Sequence, residues 1–387
     1  MGKHTGWVSS THWTIGNFIA IQQEHAIACD GYHQATVRTG YDNVVAHRSH
    51  DLFAYTAKKP GVVKSIQPKG IIIENEDGTL LGVELGRRFG NASGLTVPHN
   101  IITPLKAGER FEVGGVICYN DGFFEPDFFN PKEIVWKNAM NVTTVLWEGT
   151  QTYEDASSIS KRVEERLTTR VTKLKTVVVA FDQALSRLVK VGERVEADTI
   201  LCIIEDAVTA DNKLFDEKSL DTLRSVESQT PRAHVKGIIE RIEVFYHGDK
   251  DYMSESLRAI ADDADRTLRR NALALGQPSF TGAVDGGFRI DNNQLVPDTM
   301  AIRIYITSSV NSGVGDKGVF CNQMKTVFSE VLESEMVTET GQKIDAVFGQ
   351  KSIDARIVSS PPIIGTSNVL LKLIAKQAVA LYRGKPA

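Results

Sequence analysis

The stretch WEGTQTYEDASSISKRV, Trp147 to Val163, sets two adjacent carboxylates, Glu154 and Asp155, between an apolar run ending at Trp147 and an apolar periodicity starting after Tyr153. Such a pair, held at a cleft, can position Mg2+ or the hydroxyls and phosphates of a nucleotide. Ala156, Ile159, Val163 and Leu167 fall at helical spacing, so a helix is expected from Tyr153 onward with the pair in its first turn. Thr152, three residues before Asp155, resembles a capping residue. The same placement has a purely structural use, because carboxylates at a helix start offset its partial positive charge for roughly 0.3–1 kcal/mol. By pattern alone the structural use is the commoner one.

A second charged group lies in GVGDKGVFCNQMKTVFSEV, Gly313 to Val331, where seven residues separate Lys317 from Lys325. Two fixed ammonium groups can offset phosphate charge during phosphoryl transfer without a proton changing hands. Phe320, Met324, Val327, Phe328, Val331 and Leu332 also recur at helical spacing, which reads as a surface helix. Downstream, IDAVFGQKSIDARIVSSPP carries Arg356, by itself an ordinary solvated arginine. His47-Arg48-Ser49-His50 offers two imidazoles without a third ligand in view, so no metal is assigned there. No aspartate-rich motif of the kind that holds two catalytic metals occurs; EPDFFN has the single aspartate Asp127. Lys161, Arg162, Arg166, Arg170, Lys173 and Lys175 read as a solvated face balanced by Glu164 and Glu165, with a phosphate-facing stripe as the alternative.

Positioning these groups takes a sizeable core, and the composition supplies it. Over 387 residues the chain is 42% hydrophobic and 24% charged, globular rather than disordered. A net charge of -4 places any nucleic-acid contact on local lysine and arginine clusters, not on bulk charge. Four scattered cysteines form no CxxC pair and read as reduced core thiols. The N-terminal segment lacks an apolar signal core, and no run of about 18 apolar residues stands out, so a soluble intracellular chain is expected.

The first third reads as short strands with turns, GVVKSI, GIIIEN, Asp77-Gly78 and LLGVEL. A pattern occurs twice, LKAGERFEVGGVIC and LVKVGERVEADTILC, each a Gly-Glu-Arg turn feeding an apolar strand. Further strands are expected at KTVVVAF, VKGIIERIEVF and MAIRIYITSSV. Met253, Leu257, Ile260, Ala264, Leu268, Ala272 and Leu275 form one helical face stopped by Gly276 and Pro278. TSNVLLKLIAKQAVALYR is apolar over more than half its circumference and is expected as a buried helix.

WEG followed by YEDASSISKRV resembles the segment of the β subunit of multisubunit DNA-directed RNA polymerases in which a Glu-Asp pair lies beside the active centre. GVGDKGVFCNQMKTVFSEV resembles the β-subunit segment whose two lysines face the RNA 3' end and the incoming nucleotide. Lys317 and Lys325 match those lysines, and Arg356 matches an arginine near the nucleotide triphosphate. TQT is one residue longer than the bacterial pattern, and Cys321, Asn322 and Gln323 replace the usual Arg-His-Gly. Near Lys317 the resemblance implies a glycine-bounded loop feeding a strand instead of a helix; from Thr326 onward both readings stay open.

The resemblance runs in order from about residue 50 to 365, and implies an α+β, β-rich fold. This would be a sandwich-barrel hybrid, with a double-psi β-barrel in its hybrid-binding region, an inserted flap-like β module and a few helices. Residues 1–170 and 281–387 would form the two parts of the barrel region, the latter with the C-terminal helix, 171–250 the flap-like module and 251–280 a connecting helix. Residues 212–229 resemble the flap-tip helix gripped by initiation factors. The pattern resembles the C-terminal part of a split β subunit of giant tailed bacteriophages. It implies β N-terminal-like and β'-like partners, DNA template and RNA as ligands, Mg2+ held mainly by a partner, no membrane, and the cytoplasm of an infected bacterium or the virion as location. Glu154, Asp155, Lys317, Lys325 and Arg356 would be its active-centre residues. The alternative is a noncatalytic β-rich assembly, carrier or virion structural protein; a carrier needs an exposed lysine beside methionine at a hairpin tip, and neither Gly-Glu-Arg copy has one.

Overall fold

A computed structural model of the 387-residue chain describes residues 27–38, 40–92, 95–205, 230–321, 324–356 and 359–384. The segment 212–229, expected as a flap-tip helix, lies outside the described residues.

The chain is β-rich, with several sheets and a half-barrel. In the first third, one antiparallel sheet contains Leu80–Glu84, Gly70–Asn75, Gly61–Gln67 and Arg110–Phe111, in that order. A second contains Ala54–Thr56, Val116–Asn120, Leu95–Ile102 and Gly86–Ala92. Val63, Ile71, Ile73, Ile101, Phe111, Ile117 and Cys118, drawn from both, form one core. GIIIEN sends Ile71 and Ile73 into this core and pairs with GVVKSI on one side and, across the expected Asp77-Gly78 turn, with LLGVE on the other.

The two Gly-Glu-Arg copies fold alike. Gly108 and Gly192 take φ of 82° and 91°, a left-handed conformation that glycine adopts without steric cost. The Gly108 N–H donates to the Val63 carbonyl and the Gly192 N–H to the Ile239 carbonyl, at 2.8 and 2.7 Å. Glu109 Oε2 accepts from the Lys106 N–H and Glu193 Oε2 from the Lys190 N–H, closing each turn in the same way. Each unit buries its cysteine, Cys118 or Cys202, and burial pushes those thiols up to about 12 and about 11. All four cysteines are free, as expected of reduced thiols.

A second core belongs to the sheet of Thr169–Ala180, Thr299–Val310, Gly237–His247 and Arg194–Val195. Val177, Val179, Ile239, Val244, Ile302, Ile304 and Ile306 pack there against Leu257 and Ala261 of the helix Glu255–Ala274. Ser254 caps that helix by accepting the Leu257 N–H, and Gly276 at φ 63° follows its end, matching the expected stop. Its last residues lie against Gly70 and Gly82 of the first sheet pair, joining the two cores.

His99 sits in the first of these regions at 1% exposure, between Phe53 and Phe123. Asn120 Nδ2 lies 2.8 Å from His99 Nδ1, which accepts from it. Burial, reinforced by the positive charges of Arg88 and Arg87, lowers the imidazole from 6.5 to about 4. The unfolded chain therefore binds a proton that the folded chain refuses between those two values, and stability falls as pH drops from about 6.5 towards about 4. Urea unfolding at pH 7 and pH 4 should show His99→Gln removing about 3 kcal/mol of acid sensitivity. A variant with the parent's pH dependence would refute this assignment.

The final helix, Ser360–Tyr382, departs from expectation. Pro361 and Pro362 occupy its first turn, where a missing N–H costs nothing. It was expected to be buried, yet Val369, Leu370, Leu373, Ile374, Leu381 and Tyr382 are all exposed. Pro361 is buried and Ile364 half-buried, but from Val369 to Val379 every residue is exposed, so no described part of the chain covers the apolar side chains there. Among the described helices it is the one long and apolar enough to cross a membrane by length and composition, a run that the sequence reading had not recognised.

Candidate nucleotide-facing site

The charged residues singled out by their types converge on one mixed five-stranded sheet. Its order is Thr144–Leu146, Ala346–Phe348, Ala156–Ser160, Met324–Leu332 and Lys317–Phe320. The central strand Ala156–Ser160 runs parallel to Met324–Leu332 and antiparallel to Ala346–Phe348.

This arrangement corrects the expected helix at Tyr153. Residues 156–160 form a strand, and helix is confined to Lys161–Arg166, capped by Ser160 through the Val163 N–H. The helical spacing arose because Ile159, at the strand's end, and Val163, in the short helix, enter the same core with Phe328 and Ala346. Ala-Ser-Ser-Ile-Ser is poor in strong helix formers, and pairing on both sides decides its state. Thr152 is likewise no helix cap: its hydroxyl donates to the Trp147 carbonyl at 2.7 Å and accepts the Gly149 N–H at 2.9 Å, closing a loop.

The helical reading of the lysine segment is overturned too. Lys317–Phe320 and Met324–Leu332 form a hairpin, with Lys317 opposite Val327 and Val319 opposite Lys325. Met324, Thr326 and Phe328 are buried while Lys325 and Val327 are exposed, a period of two. Lys317, Val319, Lys325 and Val327 therefore share one open face. Thr326 Oγ1 bonds to Ser157 Oγ at 2.8 Å beneath that face, tying the hairpin to the central strand.

Val327 also pairs with Ala156, so Lys317, Val327 and the end of the acidic turn lie level on three adjacent strands. At about 4.8 Å between strands, the Lys317 backbone stands about 10 Å from that of Ala156, within reach of one bound nucleotide. The acidic pair occupies a turn, not a helix: Glu154 has φ 46° and Asp155 φ 65°. The Val327 N–H donates to the Asp155 carbonyl at 3.1 Å, and the Asp155 N–H to Ser352 Oγ at 3.2 Å.

Arg356 follows the short helix Gln350–Asp354, which succeeds the strand Ala346–Phe348. Its Nη1 lies 2.8 Å from Asp155 Oδ1 and 2.7 Å from the Ser352 carbonyl. All five singled-out residues are thus on or beside this sheet, and two of them, Asp155 and Arg356, are in direct contact. Glu154, Lys317 and Lys325 are exposed, and none enters an ion pair among the described residues. The face is open: the nearby depression of about 500 Å³ is lined by Gln151, Val314 and Ser329 to Ser334 and includes none of the five.

Of the basic positions read as one solvated stripe, three are tied down inside the chain. Lys161 pairs with Glu164, Arg170 with Asp30, and Arg162 with the buried Asp345. Asp345 also accepts the Thr143 N–H at 2.8 Å and so braces two strands of the site sheet. Asp345 and Ser352 escaped the sequence reading because their partners are nearly 200 residues away. Trp147 and Tyr153, which marked the motif, stand exposed at the rim of the turn.

Gly349 fixes how closely the two loops meet. A Cβ there would lie 2.4 Å from the Thr152 carbonyl oxygen and 3.1 Å from Glu148 Oε1. Gly349→Ala is expected to push the acidic turn outward and to destabilise the chain by about 1–3 kcal/mol, read by thermal unfolding. Unchanged stability would mean that the loops do not meet so closely.

Fold and site together describe a β-rich chain presenting a cationic strand hairpin beside an acidic turn on an open sheet. Similarity to known proteins points the same way. No family model matches the chain. It is 24% identical over 334 residues to a protein named DNA-directed RNA polymerase subunit beta from an Arthrobacter species, covering 83% of this chain and 26% of that protein. The protein of that name from Syntrophomonas wolfei is 26% identical over 329 residues, covering 83% and 27%. That from Caldicellulosiruptor saccharolyticus is 27% identical over 310 residues, covering 78% and 23%. The chain is β-subunit-like, a distant homologue of these proteins, and it spans about a quarter of the length of the curated relatives it matches.

Proposed function

We propose that this chain is a β-like component of a multisubunit DNA-dependent RNA polymerase and forms one wall of its nucleotide-addition centre. One observation carries the reading. Strand register brings Lys317 and Lys325 onto one open face beside the Glu154-Asp155 turn, although the two segments are more than 150 residues apart. Two unpaired ammonium groups there offset phosphate charge on the RNA 3' end and the incoming triphosphate by position alone.

The described residues do not fit a resident Mg2+ site. Among the described residues no group of three or more His, Cys, Asp or Glu gathers, and Asp155 is already engaged by Arg356. In this reading a β'-like partner holds Mg2+, and the open sheet face is where partner, template DNA and RNA complete the centre. The sequence resemblance supports the finer parts: a double-psi barrel in the hybrid-binding region, a flap-like module that meets an initiation factor at 212–229, and a β-like subunit divided between polypeptides, as in giant tailed bacteriophages.

The test is reconstitution. Co-expressed with β N-terminal-like and β'-like chains, the protein should copurify with them, and the complex should extend an RNA primer on a DNA template. The chain by itself should not. Failure to associate would overturn the reading, and association without any effect of site variants would favour a noncatalytic assembly role. Mass spectrometry of the complex tests the divided subunit, which fails if one polypeptide carries both halves.

A further inference from the structure

We infer that Ser352, Asp155 and Arg356 form a positioning clamp that aims Glu154, and that Glu154 is the member of the acidic pair that meets substrate. This rests on the polymerase reading above and changes the roles within it.

The backbone carries the first part of the argument. Glu154 and Asp155 are consecutive left-handed residues, a conformation that side chains other than those of glycine, asparagine and aspartate disfavour. Asp291-Asn292 adopts the same pair of φ angles, but it does so at the tip of a two-residue hairpin with residue types that suit the turn. At Glu154 the residue type does not suit the conformation, so contacts from elsewhere must hold it.

The Ala156 N–H closes the turn locally on the Tyr153 carbonyl at 3.2 Å, and the contacts from outside the turn all fall on Asp155. Its N–H donates to Ser352 Oγ at 3.2 Å, its carbonyl accepts the Val327 N–H at 3.1 Å, and its Oδ1 accepts Arg356 Nη1 at 2.8 Å. The guanidinium is fixed in turn by the Ser352 carbonyl at 2.7 Å. Ser352 is 7% exposed, and the Arg356 side chain is 24% exposed against 53% for Asp155. Backbone and carboxylate of Asp155 are thereby anchored to two distant segments, at Val327 and at Ser352–Arg356, while Glu154 has no partner among the described residues.

The charge balance follows. With Arg356 committed to Asp155, the cations left facing a triphosphate are Lys317 and Lys325. Glu154, an acceptor when ionised, is repelled by phosphate and suited to a hydroxyl donor, such as the ribose of the nucleotide. Arg356 is then a positioning residue, not the triphosphate ligand that the family resemblance implies.

The experiment compares Ser352→Ala, Ser352→Thr, Asp155→Asn, Arg356→Gln and the Asp155→Asn/Arg356→Gln double variant in the reconstituted complex. Ser352→Ala should lower kcat about tenfold with KM for the nucleotide unchanged, and Ser352→Thr should restore it. The double variant should be no worse than Asp155→Asn. A rise in KM when Arg356→Gln is added to Asp155→Asn would overturn the proposal, because Arg356 would then touch the nucleotide independently. Backbone amide exchange in the full-length chain is the second readout: Ser352→Ala and Arg356→Gln should speed exchange at Asp155 about tenfold. Unchanged exchange would sink the clamp whatever the polymerase assay reports. Responsive exchange with unaltered nucleotide addition in every variant would sink the polymerase reading and the aiming role with it.

Discussion

Lys317→Ala is expected to slow nucleotide addition by the reconstituted complex on the order of 100-fold, an effect comparable to removing one fixed electrostatic contact from a transition state. The side chain is exposed and unpaired among the described residues, so its loss should change folding by no more than about 0.5 kcal/mol. The deficit should therefore appear in single-turnover extension of an RNA primer, while unfolding and copurification match the parent. Lys325→Ala should act in the same direction, since register places it on the same face. Lys132→Ala, on the exposed turn between strands Phe124–Pro126 and Ile134–Trp136 of a separate sheet, controls for the loss of one positive charge. Parental extension rates in both site variants would remove the nucleotide-facing assignment of the hairpin.

The largest stability effect is expected from Asp265. This carboxylate is 2% exposed on the helix Glu255–Ala274 and accepts from Lys250 Nζ at 2.6 Å, the Gly282 N–H at 2.8 Å and the Tyr246 hydroxyl at 2.9 Å. Burial works to raise its pKa, but the bonds from Lys250, Gly282 and Tyr246 outweigh it and hold the carboxyl below the usual range. Asp265→Ala leaves a buried N–H and a hydroxyl without an acceptor and strips Lys250 of its buried partner, at a cost of about 3–5 kcal/mol. Urea unfolding of the full chain should report it as an earlier transition, and an unshifted curve would show the network to be dispensable. A lowered folded-state pKa means that this stabilisation is fully present above about pH 4 and is lost as pH falls through the folded value. Of these two groups, His99 acts between about pH 6.5 and 4, and Asp265 contributes only below that window.

Much of the strand layout was legible because half-buried strands show their period. GIIIEN and LLGVEL around Asp77-Gly78, the two Gly-Glu-Arg turns, and the 255–274 helix with its stop at Gly276 follow from local chemistry alone. Misreadings cluster at the site. At Ile159 and Val163, apolar residues of separate elements enter one core four residues apart, and in Phe320 to Leu332 the two strands of a hairpin send Phe320 and Phe328 into that same core, which imitates a helix. The exposed C-terminal helix was misjudged because composition records how apolar a segment is, not whether anything covers it.

By itself the sequence determined the types and order of the charged groups, Glu154 and Asp155, then Lys317 and Lys325, then Arg356, and the family resemblance that they carry. Only the tertiary structure decided their grouping. Parallel pairing of Ala156 with Val327, and antiparallel pairing of Val327 with Lys317, set acid and base level on neighbouring strands. The Ser352 and Arg356 contacts then divided the acidic pair into an anchored Asp155 and a free Glu154. Register and left-handed turns are settled by long-range hydrogen bonds and shared burial, which local periodicity does not encode.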